Sequence, residues 1–365
     1  MRFILFLLSW AVFSSGMLAE EAPTFTPRSV AIRSDGSLVI SDDVKYRILG
    51  LDPTGVLTVQ LERGTVDPGS GRKVDLGRPV GIALDGADNL YLTDRNTHRI
   101  FRIDRQSGAV TTVAGNREFG YRYDDVAATE ASLSTPVGVT LDREGNLYFV
   151  EQSSRRVRRV DAGTGQIATV AGSGRTGFSG DGGPATEAAF EVPFDVAVDR
   201  RGNLFIADTG NHRIRRVDAG TGLISTYAGN GKGGFGGDGG PAARASLYDP
   251  FSVALDRSGN LYIADRGNHR VRRVGARNRV ITTIAGNGQR GFSGDGGPAR
   301  GASLADPFDV VVDRRGNLYI ADTGNKRVRR VNARNKRIET VPVKPPSPPS
   351  KDESASEDKK ESQSS

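Results

Sequence analysis

Three repeated positions carry the side chains best suited to chemistry. Asp195, Ser252 and Asp309 each stand two residues after a proline (Pro193, Pro250, Pro307), and each directly follows a phenylalanine (Phe194, Phe251, Phe308). The same position elsewhere holds Ser29, Gly81 and Gly138. Two carboxylates brought close together cost free energy unless a cation, a proton or a bound donor lies between them. If the segments they open converge, these residues form half of a concave mouth with aromatic walls and few polar groups, the usual makeup of a ligand site. Its charge then favours a cationic or hydroxyl-rich ligand, flanked by loops carrying Asp181, Asp238 and Asp295. In the other reading the rings pack between neighbouring units and the carboxylates cap local amides. Both readings stay open at this point.

The remaining chemistry-bearing types point to structure. His98, His212 and His269 share one repeat position, filled elsewhere by Tyr46, Arg155 and Lys326. A zinc site needs convergent ligands, so no metal and no cofactor are expected. Three loops read Gly-x-x-Gly-Phe-Ser/Gly-Gly-Asp-Gly-Gly-Pro-Ala, beginning at Gly174, Gly231 and Gly288. They lack the Lys-Ser/Thr of a phosphate-binding loop. Gly233 to Asp238 fits only the first half of a calcium-binding nonapeptide, without its large apolar residue. A compact loop plugged by Phe178, Phe235 and Phe292 is expected, with its Gly-Pro pair opening one helical turn and Pro at the first position.

An acid recurs five positions before an arginine in every unit: Asp42 and Arg47, Asp94 and Arg99, Glu151 and Arg156, Asp208 and Arg213, Asp265 and Arg270, Asp322 and Arg327. Sixfold recurrence predicts a structural clasp, a carboxylate–guanidinium pair at each turn, rather than a binding site.

These residues are positioned by a repeat. Pro79, Pro136, Pro193, Pro250 and Pro307 are spaced by 57 residues, and a degenerate copy at Pro27 makes six units. Within a unit, short β-branched and aromatic runs alternate with Gly/Asn/Asp clusters that favour tight turns. Four short strands per unit and six units predict an all-β, six-bladed β-propeller, closed so that sheet edges are protected. Blades are expected near 27–64, 79–116, 136–173, 193–230, 250–287 and 307–343, with little or no strand exchange at closure.

Gly210-Asn211-His212-Arg213-Ile214 and Gly267-Asn268-His269-Arg270-Val271, each followed by Arg-Arg-Val, resemble the signature of NHL repeats. The resemblance covers roughly residues 27–343 and implies a six-bladed NHL propeller of the kind abundant in secreted bacterial proteins. NHL propellers include peptide-, protein- and RNA-binding modules, receptor sensor domains and some metal-dependent lyases, so the fold leaves function open.

Met1-Arg2, an apolar run from Phe3 to Phe13 and small residues up to Ala19 read as a signal peptide over residues 1–19. A secreted or periplasmic address follows, with no membrane span in the mature chain. The chain has no cysteine. The segment 344–365, rich in Pro, Ser and charge, is expected to be disordered. It holds four Lys against five acids, so the net charge of +7 belongs to the 20–343 propeller. Together these features predict a monomeric recognition scaffold that binds a protein, peptide or glycan on its loop-rich face, without catalysis. The alternative is a metal-dependent lyase or lactonase acting at the channel mouth. A nucleic-acid partner is disfavoured by the leader, despite the basic charge.

Overall fold

A computed structural model describes residues 24–122 and 124–344; the expected leader and the expected C-terminal tail beyond Lys344 lie outside them. The described residues form six antiparallel sheets, each drawn from one contiguous stretch of chain. The inner strands are Pro27–Ile32, Pro79–Leu84, Pro136–Leu141, Pro193–Val198, Pro250–Leu255 and Pro307–Val312. Each leads outward through three more strands, in the fourth blade Leu204–Asp208, Arg213–Val217 and Ile224–Ala228. Proline suits the first residue of a strand, where no ladder donor is needed. The ladder register shifts just after that proline in every blade, for example between Pro193 and Asp195. The six bulges sit where the chain enters the channel and re-aim the next two side chains.

The core lies between blades. Ala197, Phe205 and Ile214 of the fourth blade pack with Val253, Leu261, Ile263 and Val274 of the fifth. Two polar devices fix the turns. On the side away from the glycine loops, Asp199 accepts from the backbone of Arg201 and Asn203 (2.8 and 2.9 Å) and from the Asn203 amide (2.7 Å), while Asn203 accepts from Ala219 N (3.0 Å). This ties the first turn of the blade to its third, and the Asp-x-x-Gly-Asn motif is what supplies it. On the loop side, His98, His212, His269, Tyr46, Arg155 and Lys326 all adopt the left-handed conformation, with φ between 52° and 55°. That position is defined by its backbone, which explains why its side chain varies.

Among the described residues the ring closes without strand exchange. Lys344 meets the first blade only through a backbone bridge with Val56. Side chains do the rest: Thr323 donates to Pro27 O (2.7 Å), and Phe25, Val30 and Ile40 pack with Ala321, Val328 and Val343. The third blade has a fifth strand, Val126–Ala127, contributed by its own preceding loop.

Candidate functional site

The six inner strands enclose a channel of about 430 Å³. At its loop-side end the rings of Phe194, Phe251 and Phe308 form a cluster with centroid separations of 4.3, 4.4 and 5.5 Å. Phe194 and Phe308 are almost fully buried. The Arg28 guanidinium, at the equivalent position of the first blade, lies 3.3 Å from the Phe308 centroid and completes the lid. Beneath the lid, Asp195, Ser252, Asp309 and Ser29 border a small cavity of about 30 Å³, room for water but not for a larger ligand.

The structure thus brings the predicted residues together, and it gives the carboxylates protein partners from more than one blade. Asp195 accepts from its neighbour Val196 N (2.9 Å) and from Val253 N of the next blade (3.0 Å). Asp309 accepts from Val310 N, Val30 N and Ser29 Oγ at 2.8 Å, and from Ser252 Oγ at 2.5 Å. Desolvation, then the proximity of Asp309, pushes the Asp195 carboxyl up to about 7. The glycines at the matching position have a steric cause. A Cβ on Gly138 would lie 2.5 Å from Asp195 Cα, and one on Gly81 would lie 2.2 Å from Val137 O. Neighbouring inner strands approach too closely there for any side chain.

The sixfold clasp needs correction. Among the described residues only the first blade forms the predicted pair, Arg47 to Asp42 at 3.2 Å. In the last four blades the acid is taken by the arginine two residues further on. Arg158, Arg215, Arg272 and Arg329 are fully buried. They reach Glu151, Asp208, Asp265 and Asp322 at 3.2, 3.4, 3.2 and 3.4 Å, and the loop residues Asp124, Asp181, Asp238 and Asp295 at 2.7, 2.7, 2.8 and 2.7 Å. A guanidinium removed from water needs carboxylate partners more than a half-exposed one does. Arg156, Arg213, Arg270 and Arg327 instead donate to backbone carbonyls, Arg213 to Asn211 O and Asn230 O at 3.1 and 3.0 Å. Their guanidiniums lie 3.8 to 3.9 Å from the rings of Tyr121, Phe178, Phe235 and Phe292. In the second blade Arg99 donates to Asp75 O (2.9 Å), and Asp94 accepts from Gly77 N and Arg78 N (2.6 and 2.9 Å).

The glycine loops differ from expectation on two points. Phe178, Phe235 and Phe292 are not plugs but remain 41%, 48% and 45% exposed. The helical turns are 3-10 turns, as at Ala185–Glu187, with Pro184 capping rather than opening the turn. Asp181, Asp238 and Asp295 face the third strands. The histidines sit on separate blades: the Nδ1 atoms of His212 and His269 accept from Asp249 N and Asp306 N at 3.3 and 3.2 Å. Among the described residues no three His, Cys, Asp or Glu side chains converge as metal ligands, and no helix is long and apolar enough to cross a membrane.

The NHL repeat model matches residues 190–217, 247–274 and 304–331, and the teneurin NHL domain model matches 19–179. This chain is an NHL-repeat propeller. Chicken teneurin-1 is 30% identical over 362 residues, covering 87% of this chain and 13% of that protein. The chloroplastic protein Suppressor of Quenching 1 of Arabidopsis thaliana is 27% identical over 280 residues, covering 73% of this chain and 26% of that one. The chain therefore spans only a small part of these relatives. A solved streptogramin B lyase superposes with a TM-score of 0.54 at 14% identity, over 89% of this chain and 85% of that one, a likeness of fold alone. In this NHL propeller the signature Asp and Asn hold turns, and its Arg-x-Arg holds the loops.

Proposed function

We propose that this NHL propeller is a recognition module that binds a protein or peptide on the face carrying its glycine loops. The observation that carries this reading is a set of exposed aromatic rings fixed on guanidiniums: Tyr121, Phe178, Phe235 and Phe292, each lying against a third-strand arginine. Phe119 and Tyr248 add exposed rings from the same loops, at 64% and 44%. Large apolar surface left in water at repeated positions marks interaction sites. Aromatic residues and arginine are the types enriched at protein interfaces, and rings held rigid lose little entropy on binding. The pattern of Met1 to Ala19 supports an address outside the cytoplasm, which N-terminal sequencing of the mature protein tests.

The test is selection of peptides from a random displayed library on the purified propeller, followed by hydrogen exchange with the best binder. Protection of residues 115–135, 172–192, 229–249 and 286–306 is expected, as is loss of binding in the triple variant Phe178→Ala, Phe235→Ala, Phe292→Ala, whose melting falls only modestly through the lost ring contacts and which stays folded at the assay temperature. Protection confined to the opposite face overturns the reading.

A further inference from the structure

The strongest unassigned feature lies above the aromatic lid. Four arginines surround it: Arg28, Arg78, Arg95 and Arg266. Arg28 and Arg266 both lie over the Phe308 ring, at 3.3 and 5.5 Å, and Arg266 also lies 4.8 Å from the Phe251 centroid. Their neutralisation within the protein is incomplete. Asp43 is engaged by Arg78 at 2.8 Å, leaving Arg28 with the same oxygen at 3.6 Å. Arg266 comes no nearer than 4.0 Å to Asp249, and Arg95 donates only to the neutral Gln152, at 3.2 Å. Among the described residues neither Arg28 nor Arg266 donates a hydrogen bond to a protein acceptor, and the Nε of each is buried without a hydrogen-bond partner, that of Arg28 having only the 3.6 Å ion pair with Asp43. Burial lowers Arg28 to about 9 against the pull of Asp43, with smaller contributions from Arg78, Arg95 and Arg266, which leaves it charged at neutral pH.

Two cations fixed over an apolar floor, with donors unspent, form a receptor for one planar anion. The floor aligns the guanidiniums and excludes water, so a carboxylate placed between them gains strong charge-assisted bonds at little ordering cost. We propose that the channel mouth binds a carboxylate side chain of an acidic protein segment, with Arg28 and Arg266 as the anion-contacting residues and Arg95 as a further positive charge. The inference rests on the reading of the loop face as a protein-binding surface and names the chemistry recognised at its centre. The cationic or hydroxyl-rich ligand expected from Asp195 and Asp309 does not suit this mouth, because those carboxylates lie below the lid. A nucleic acid suits it less than a peptide does. The rings at the mouth are too buried to stack bases, and Asp249 and Asp306 on the rim repel a continuous phosphate backbone.

Fluorescence anisotropy tests this with a labelled peptide of alternating Glu, Gly and Ser, its Gln counterpart, and a single-stranded oligonucleotide of equal charge. The Glu peptide is expected to bind, the Gln peptide to bind at least tenfold more weakly, and Arg28→Gln or Arg266→Gln to weaken the Glu peptide by about tenfold each. Arg200→Gln, on the opposite face, is expected to leave binding unchanged. Melting temperatures of all variants separate lost binding from lost folding. Equal binding of the Glu and Gln peptides, indifference to Arg28→Gln and Arg266→Gln, or tighter arginine-dependent binding of the oligonucleotide overturns the proposal. If the Glu peptide fails to bind while library-selected peptides still protect the loop face, the carboxylate receptor falls and the recognition module stands. If selected peptides avoid that face, the recognition module falls.

Discussion

Asp195 lies under an aromatic lid beside a second carboxylate, and its raised titration makes the ring's stability depend on pH. Its folded value of about 7 exceeds the unfolded value of about 3.9. Between those values the folded state holds the proton and the unfolded state does not. The contribution is therefore fully present below about pH 4 and lost as pH rises through 7. Asp195→Asn, which retains an acceptor for Val196 N or Val253 N, should melt above the wild type at pH 8.5, with the difference shrinking below pH 5. Thermal scans across that range check it, and a difference independent of pH would count against it. A second contrast concerns two arginines on one strand. Replacing buried Arg215 by Met leaves Asp208 and Asp181 without their cation and should cost about 3 to 5 kcal/mol. Arg213→Ala removes carbonyl bonds and one ring contact at a wetter position and should cost about 1 kcal/mol. Chemical denaturation of both variants decides the order. The sequence made Asp195 conspicuous through its break in repeat symmetry. Its local partner, Val196 N, is the amide cap that one of the two readings anticipated, whereas Val253 N was not legible, because hydrogen bonds to the adjacent blade depend on how the inner strands are staggered.

At the level of elements, the glycine loop and the third strand act as one unit. Blades three to six pair a buried arginine with a loop aspartate, whereas Leu49 and Phe101 fill the arginine's position in the first two blades. The loop motif ending in Asp is missing before those two blades. That co-occurrence was present in the chain and identifies the true partner. Register misdirected the clasp, since Asp208 and Arg213 do face each other across the ladder. Facing Cα atoms do not decide where a long guanidinium ends. Strands and turns were readable because short β-branched and aromatic runs and Gly/Asn turns are local signals, and the Gly-Pro pairs announced the 3-10 turns after Pro184, Pro241 and Pro298, whereas the 3-10 turns at Thr209–Asn211, Arg266–Asn268 and Thr323–Asn325 carry no proline to mark them. Asp238 accepts from Arg272 Nη2 (2.8 Å) and from Thr283 N (3.0 Å), so Asp238→Ala should loosen the whole loop. Faster hydrogen exchange over 231–245, with little change over the equivalent loop at 288–302, is the expected signature.

For the whole molecule the decisive joint is the seam between the sixth and first blades. There Asp309 holds Ser29 and Val30 of the first blade while also holding Ser252 of the fifth, whereas among the described residues Asp195 accepts from Val253 alone across its joint. Asp309→Ala should therefore lower the melting temperature more than Asp195→Ala does, and should speed exchange over 27–62 before any other blade. Equal effects at the two joints would mean that the seam is no weaker than the rest of the ring. The same seam bears on the order of the chain. Each blade is spun from a single stretch of sequence, and Phe25 and Val343 pack in one cluster. The ring thus has no obligatory first blade. Linking Thr24 to Lys344 by a short flexible bridge and reopening the chain between Gly233 and Gly234 should yield a circular permutant with the same six sheets. In such an architecture whole blades can be gained, lost or reordered by duplication without rewriting any strand pairing.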